Sequence, residues 1–209
     1  MKSRSIWAIA IVAILGISSA TASASTAEEL LNSLAVKGRA PKTGYSRAQF
    51  GATWADVNKN GCDTRNDILK RDLTNVVYRS KTHDCVVESG TLLDPYSGTT
   101  INFVKGVTSS IEVQIDHVVA LSNAWQTGAF KLTLEKRTAF ANDPDNLLAV
   151  QGRLNSQKGD GDAATWLPPL KSARCAYVTK QIIVKAKYGL WVTAPEKAAM
   201  LTVLSKCKN

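Results

Sequence analysis

Residues 111–121 (IEVQIDHVVAL), 145–150 (DNLLAV) and 153–160 (RLNSQKGD) decide the fold of this chain. In the first segment, side chains of opposite polarity alternate up to Asp116 and His117, which indicates a strand whose acid and histidine point to opposite faces. The second segment is a short apolar run that predicts another strand, and residues 152–158 predict the start of a helix. The predicted order is therefore strand, excursion, strand, helix.

The N-terminus has the composition of a secretory leader. Lys2 and Arg4 precede an apolar run at residues 6–17, and small residues follow at 22–24. The run is shorter than the roughly 18 apolar residues of a membrane-spanning helix. We therefore expect residues 1–24 to be removed as a signal peptide, and residues 25–209 to form one secreted domain without stable membrane association.

The chain is basic, with a formal net charge of +9 that falls to +7 if Lys2 and Arg4 leave with the leader. A basic exported protein can be steered to nucleic acid, to anionic cell wall or to a membrane surface. Charge alone does not choose among these partners.

Four cysteines in an exported chain favour two disulfides. We expect Cys62 to pair with Cys85 and Cys175 with Cys207, because each pair lies within one local module. The cysteines lack the close spacing that is typical of structural zinc sites.

Outside the central stretch, the pattern predicts a helix over residues 63–77 and short strands over 82–91 and 99–105. Residues 172–188 predict a further helix. Thr193 and Glu196 form a capping-box pattern that opens a last helix, and the two helices predict an antiparallel C-terminal hairpin. The fold class expected is α+β.

Two other features have a chemical and a structural interpretation. Side-chain oxygens alternate over residues 56–60 before Gly61, as in a calcium loop, but Asp67 stands where such a loop has a longer glutamate, and an Asn/Gly turn is favoured. His83, beside Asp84, could serve a metal or acid–base role, and a surface histidine is the simpler interpretation. The excursion over residues 122–143 either shapes a groove or packs the hairpin.

The central stretch resembles the HNH, or His-Me finger, nucleases, whose catalytic unit is a β-hairpin packed on a helix around one divalent metal. Asp116-His117 matches the opening pair, Asn146 the middle asparagine, and Asn155 lies nine residues on. It is similar in particular to the HNH-type C-terminal domains of modification-dependent restriction enzymes. Residues 60–65 and 166–169 are similar to small secreted HNH-family proteins of actinobacteria.

The resemblance implies a ββα-metal core at about residues 111–160 and a role for each matching residue. His117 would be the general base, Asn146 would hold the catalytic loop by hydrogen bonds, and Asp116 and Asn155 would bind Mg²⁺ or Mn²⁺. Asn155 stands where many members have histidine, which favours an oxygen-binding metal over zinc.

Arg153 and Lys158 lie near Asn155 in sequence and could contact substrate phosphates. The implied function is that of a secreted, monomeric, metal-dependent endonuclease of low sequence specificity, acting on DNA with RNA as an additional candidate substrate. The alternatives are a non-catalytic protein that binds nucleic acid or cell-wall polymer, and a toxin delivered to competitors.

Overall fold

The computed structural model describes the backbone of residues 19–207 and the side chains of residues 26–207. The charged and apolar stretches of the predicted leader, residues 2–17, lie outside the described residues. The last leader residues belong to the first helix, α1, Ser19–Ser33. Among the described helices, none combines the length and the apolarity needed to cross a bilayer.

The described residues form an α+β fold, which confirms the predicted class. After α1 come α2 (Thr64–Asp72), β1 (Leu73–Tyr78), β2 (Val87–Leu93), β3 (Thr100–Val104), β4 (Val113–His117), α3 (Leu121–Gln126), α4 (Leu134–Ala141), β5 (Leu147–Gln151), α5 (Gly152–Lys158), α6 (Arg174–Lys187) and α7 (Ala194–Leu204).

The central stretch folds as strand, excursion, strand and helix. β4 and β5 form a two-stranded antiparallel sheet in which His117 lies opposite Leu147. α5 begins directly after β5 at Gly152, where a Cβ atom would lie 1.9 Å from the carbonyl oxygen of Ile111. Only glycine allows this close approach of the helix to the chain before β4.

The β4–β5 pair lies between two apolar clusters. One cluster joins the inward side chains of both strands to α2 and to the antiparallel sheet β1-β2-β3. The second joins Val150 and Leu154 to α1, α6 and α7. The aromatic rings of the excursion, Trp125 and Phe140, are buried against Phe50 in a third cluster, which also holds Val119 and Leu121 just after β4.

The helix predicted over residues 63–77 is correct only in its first half. Asp63 caps α2 by accepting a hydrogen bond from the backbone N–H of Asn66, but the helix ends at Asp72. The following residues, LTNVVY, form β1 and pair with β2. Their β-branched and aromatic side chains suit a pleated sheet, and this preference overrides the helical spacing of the apolar residues.

The loop before α2 closes on itself, as the turn interpretation predicts. The carboxylate of Asp56 accepts hydrogen bonds from the backbone N–H groups of Asn60 and Gly61 at 3.1 and 2.9 Å. Asn60 donates to Asp67 at 3.0 Å. His83 is exposed on the neighbouring loop.

Both disulfides form as predicted. Cys62 is bonded to Cys85, which ties the start of α2 to the loop before β2. Cys175 is bonded to Cys207, which joins the start of α6 to the end of α7. The capping box of Thr193 and Glu196 at the start of α7 is present, so the C-terminal hairpin is confirmed.

We expect the variant Cys175→Ser/Cys207→Ser to unfold with a free energy about 3 kcal/mol below that of the wild type. The bridge closes a loop with a sequence separation of 32, and its loss releases chain entropy in the unfolded state. Urea unfolding of the oxidised proteins measures the difference. An unchanged unfolding midpoint would contradict the expectation.

Candidate active site

His117 ends β4 as a buried side chain with one defined hydrogen bond. Its Nε2 lies 2.8 Å from the carbonyl oxygen of Ala141, at the end of α4. Because a carbonyl oxygen only accepts, Nε2 carries the proton and Nδ1 carries the lone pair. The indole of Trp54 stacks on the imidazole, with ring planes 11° apart and centroids 6.0 Å apart.

The environment of His117 keeps its imidazole neutral. Burial lowers the pKa of His117 to about 4, against the opposing effects of the hydrogen bond to Ala141 and the charge of Asp116. Arg47 and Lys158 add positive charge that lowers the pKa further. At neutral pH the ring is therefore an unprotonated base.

This pKa predicts a pH-dependent stability for the metal-free protein. The unfolded chain takes up a proton on His117 below about pH 6.5, whereas the folded chain does so only below about pH 4. The unfolded state thus binds more protons between these values. The free energy of unfolding should therefore fall by about 3 kcal/mol as the pH drops through this window, and this loss should be absent above it.

Urea unfolding in EDTA across this pH window, with His117→Gln as the comparison, tests the expectation. The variant should lose less stability than the wild type on acidification. Equal slopes for the two proteins would show that His117 does not titrate in this way.

Asp116 points to the other face of β4 and is held by two donors. Its Oδ1 accepts a hydrogen bond from Nζ of Lys158 at 2.9 Å, and its Oδ2 accepts one from the hydroxyl of Tyr96 at 2.5 Å. Burial and the nearby Asp116 raise the pKa of Tyr96 well above its ordinary value, so its hydroxyl keeps the proton. Both bonds fix the orientation of the carboxylate.

Lys158 corrects one sequence prediction. Its side chain is 0% exposed, and its ammonium donates to Asp116 and, at 2.8 Å, to the carbonyl oxygen of His117. A phosphate contact needs a cation at the surface, so the predicted phosphate contact is replaced by a buried ion pair. The cause is the orientation of α5, which turns Lys158 towards β4, whereas Arg153 lies exposed on the same helix.

Asn155 lies on α5 and is half-buried. Its Nδ2 donates to Oε1 of Gln114 at 2.8 Å, which orients the amide and leaves Oδ1 as an acceptor outside that bond. Gln114 stands two residues before Asp116 on β4, so α5 brings Asn155 to the same strand face as the acid.

Asn146 is fully buried and joins the ends of the excursion. Its Oδ1 accepts a hydrogen bond from the backbone N–H of Val119 at 2.8 Å, and its own carbonyl oxygen accepts one from Val118 at 2.8 Å. Its Nδ2 lies 3.4 Å from the carbonyl oxygen of Phe140, the residue before Ala141. These hydrogen bonds hold the end of β4, which carries His117, close to the end of α4. The carbonyl oxygen of Ala141, which orients the imidazole, lies there.

One cavity of about 80 Å³ is lined by three of the predicted site residues, Asp116, His117 and Asn155. Its lining residues are Arg47, Ile115, Asp116, His117, Ala120, Leu121, Asn155 and Gly159. His117, Asp116 and Asn155 therefore all border one small, polar space at the end of β4.

The donors at this cavity suit a hard divalent cation. Asp116 keeps carboxylate lone pairs beyond the two used by Lys158 and Tyr96, and Asn155 offers Oδ1. Oxygen ligands completed by water are the preferred environment of Mg²⁺. The described side chains, those of residues 26–207, include no group of three or more His, Cys, Asp and Glu arranged for a metal, so an ion here would rely on amide oxygen and water as well.

Comparison with known proteins places the chain in a family. A family model described as GmrSD restriction endonucleases, C-terminal domain, matches residues 63–203. The chain belongs to this GmrSD C-terminal domain family. It is also 42% identical over 187 residues to an uncharacterized secreted protein of Arthroderma benhamiae, covering 88% of this chain and 86% of that protein. No solved structure matches.

The GmrSD C-terminal domain match confirms the expected likeness to restriction-enzyme C-terminal domains, while the HNH assignment stays a prediction. The relative is fungal, so it gives no support to the actinobacterial likeness. The matched range includes β4, β5 and α5, with every residue predicted for the site.

Two residues outside the matched range were missed by the sequence analysis. Arg47 is exposed and lines the cavity, and Trp54 covers one face of His117. Both residues lie far from His117 in sequence, so the sequence does not predict that they are close to it in space. The segment does contain one arginine among aromatic residues, a pattern that suits phosphate binding.

Proposed function

We propose that this GmrSD C-terminal domain protein is a secreted, metal-dependent endonuclease of the HNH type. It hydrolyses phosphodiester bonds of DNA with low sequence specificity, and RNA is an additional candidate substrate. One observation carries the proposal: His117, neutral and with Nδ1 as its lone-pair nitrogen, lines a single cavity with Asp116, Asn155 and Arg47. Membership of a restriction endonuclease family supports it.

His117 acts as the general base. Nδ1 takes a proton from the water that attacks the phosphorus, while Nε2–H continues to donate to the carbonyl oxygen of Ala141. That bond keeps the ring from turning and stabilises the positive charge that it gains. Asn146 maintains the distance between the imidazole and this carbonyl.

Asp116 and Asn155 are the residues that would hold the divalent ion. A bound Mg²⁺ or Mn²⁺ would supply charge stabilisation at the scissile phosphate and the leaving oxygen. Lys158 and Tyr96 fix the carboxylate of Asp116, and Gln114 fixes the amide of Asn155, so both oxygens are oriented in advance.

Arg47 supplies the exposed cation that Lys158 does not. Arg47 belongs to the cavity wall, and a guanidinium there can bind phosphate oxygens in a bidentate manner. Arg153 is exposed on α5 and extends the positive surface beyond the cavity. The basic charge of the whole chain favours backbone binding without sequence readout.

The two disulfides and the N-terminal sequence support export. Two disulfides persist in oxidising compartments, and the leader composition of residues 1–24 is typical of secreted proteins. The relative from Arthroderma benhamiae carries the description of a secreted protein. We therefore assign the site of action to the extracellular space, with the protein acting as a monomer.

Plasmid cleavage tests the proposal. Supercoiled DNA should be nicked and linearised in Mg²⁺ or Mn²⁺ and left intact in excess EDTA, with single-stranded DNA and RNA as parallel substrates. Binding of these substrates without cleavage under every metal condition would instead identify a non-catalytic nucleic-acid binding protein.

The variant Asn155→Ala should need about tenfold more Mg²⁺ for half-maximal cleavage. It removes one of the two protein oxygens available to the ion, so the metal should bind more weakly. Mg²⁺ titration of the cleavage rate measures the change. Gln157→Ala, on the exposed side of the same helix, is the matched control, and equal Mg²⁺ requirements for the two variants would remove Asn155 from the metal site.

A further inference from the structure

A groove of about 470 Å³ lies directly beside the candidate active site. Its walls come from α2, from β2 and β3, and from the segment that leads into β4. Two of its residues also contact the site: Trp54 stacks on His117, and Gln114 accepts the hydrogen bond from Asn155. A ligand in the groove would therefore touch the residues that orient the base and the proposed metal ligand.

The groove has the surfaces that a nucleobase needs. Its apolar part includes the exposed side chain of Ile111, above Leu69, Val87 and Phe103, which are almost fully buried in the cluster beneath β4. Trp54 adds a half-buried indole at a backbone φ of +58°, which is rare for a bulky residue. An apolar surface with an aromatic side chain matches the two flat faces of a base, and such stacking accepts any base.

The groove also offers donors for the edge of a base. The Oγ of Ser110 accepts a hydrogen bond from the backbone N–H of Gly106 at 3.1 Å and keeps its own proton to donate. The Nε2 of Gln114 has only a long contact of 3.5 Å to the carbonyl oxygen of Ile111. Polar and apolar groups therefore share the wall of the groove, and polar groups that converge on one space are typical of ligand sites.

The charges of the groove favour a phosphate beside the base. Arg65 is half-buried and Lys105 is exposed, and both line the groove. The acid on the lining, Asp63, is engaged by Asn66 through its backbone N–H at 2.8 Å and its Nδ2 at 2.9 Å. The two cations therefore exceed the single acid, which already has partners in the cap of α2.

We propose that this groove binds one unpaired nucleotide next to the scissile phosphate, so that the enzyme prefers single-stranded nucleic acid to duplex. The base stacks on Trp54, while Lys105 and Arg65 contact the flanking phosphate. A base in a duplex would first have to leave its stack, at a free-energy cost that a single strand does not have. The inference rests on the proposed nuclease function and adds its substrate class.

Binding measured without cleavage tests the groove. The full disulfide-bonded protein with His117→Ala is titrated in EDTA with a fluorescein-labelled single strand of about 12 nucleotides and with a duplex of the same length, and anisotropy reports affinity. The single strand should bind about tenfold more tightly. Equal affinities for the two probes would overturn the inference.

Charge variants locate the phosphate contact. Lys105→Gln should weaken single-strand binding about threefold and reduce the slope of log affinity against log salt by about 0.7. Lys206→Gln removes the same charge from an exposed position at the end of the chain and should leave the affinity nearly unchanged. Equal losses in both variants would show general charge attraction and overturn the inference.

A stacking variant and a cleavage assay complete the test. Trp54→Leu should weaken single-strand binding about tenfold and Trp54→Phe less, with circular dichroism confirming the fold. Full affinity in Trp54→Leu would overturn the inference. If the wild type cuts single strands and duplexes equally in Mg²⁺, the nuclease function stands and the groove inference fails. If it cuts nothing but prefers single strands, the groove inference stands and the nuclease function fails.

Discussion

The variant His117→Ala should cleave nucleic acid about 10²–10⁴-fold more slowly than the wild type, because it removes the proposed general base from the cavity. Binding should persist, since the exposed Arg47 and the basic surface remain. The loss should therefore fall on kcat and not on affinity. Single-turnover cleavage at saturating enzyme measures the chemical step separately from binding.

His83→Ala is the matched control for this experiment. His83 is the other histidine of the chain and is exposed on the loop before β2. Its replacement should leave the cleavage rate within about twofold, as expected for a surface position away from the site. Equal rates for wild type and His117→Ala, with both proteins folded, would exclude His117 as the base.

The sequence predicts those parts of the fold that are determined by residues close together in the chain. Alternation up to His117 and the apolar run at residues 147–150 identify β4 and β5, and the capping box identifies the start of α7. The disulfide of Cys175 follows because a helical hairpin returns the chain to its starting end. Each of these signals lies within one element or one hairpin.

The errors occur where tertiary packing decides. The exposure of Lys158 depends on which face of α5 packs on β4, and a helix of seven residues gives too little periodicity to show it. Arg47 and Trp54 reach His117 from a segment that precedes α2 by a loop, so spacing carries no information about the contact. The end of α2 is set by the pairing of β1 with β2.

The buried pair of Lys158 and Asp116 gives the largest expected effect on stability. In Lys158→Met the carboxylate stays buried with Tyr96 as its remaining side-chain donor, and the carbonyl oxygen of His117 loses the ammonium. Removing one partner of a buried pair costs about 3–5 kcal/mol, because the other charge is left uncompensated. Urea unfolding should therefore show a strongly lowered free energy of unfolding.

The variant Lys42→Met separates burial from simple charge loss. Lys42 forms an ion pair with Asp160 at 2.6 Å, but the two side chains are 56% and 44% exposed. Water and salt screen such a pair, so its loss should cost less than about 1 kcal/mol. Similar small losses in both lysine variants would mean that Lys158 does not compensate Asp116. Lys158→Met should instead lose much of its free energy of unfolding, and Lys158→Met/Asp116→Asn should recover part of it. That result would show that the ammonium is required because the carboxylate of Asp116, beside the proposed base, is charged and buried.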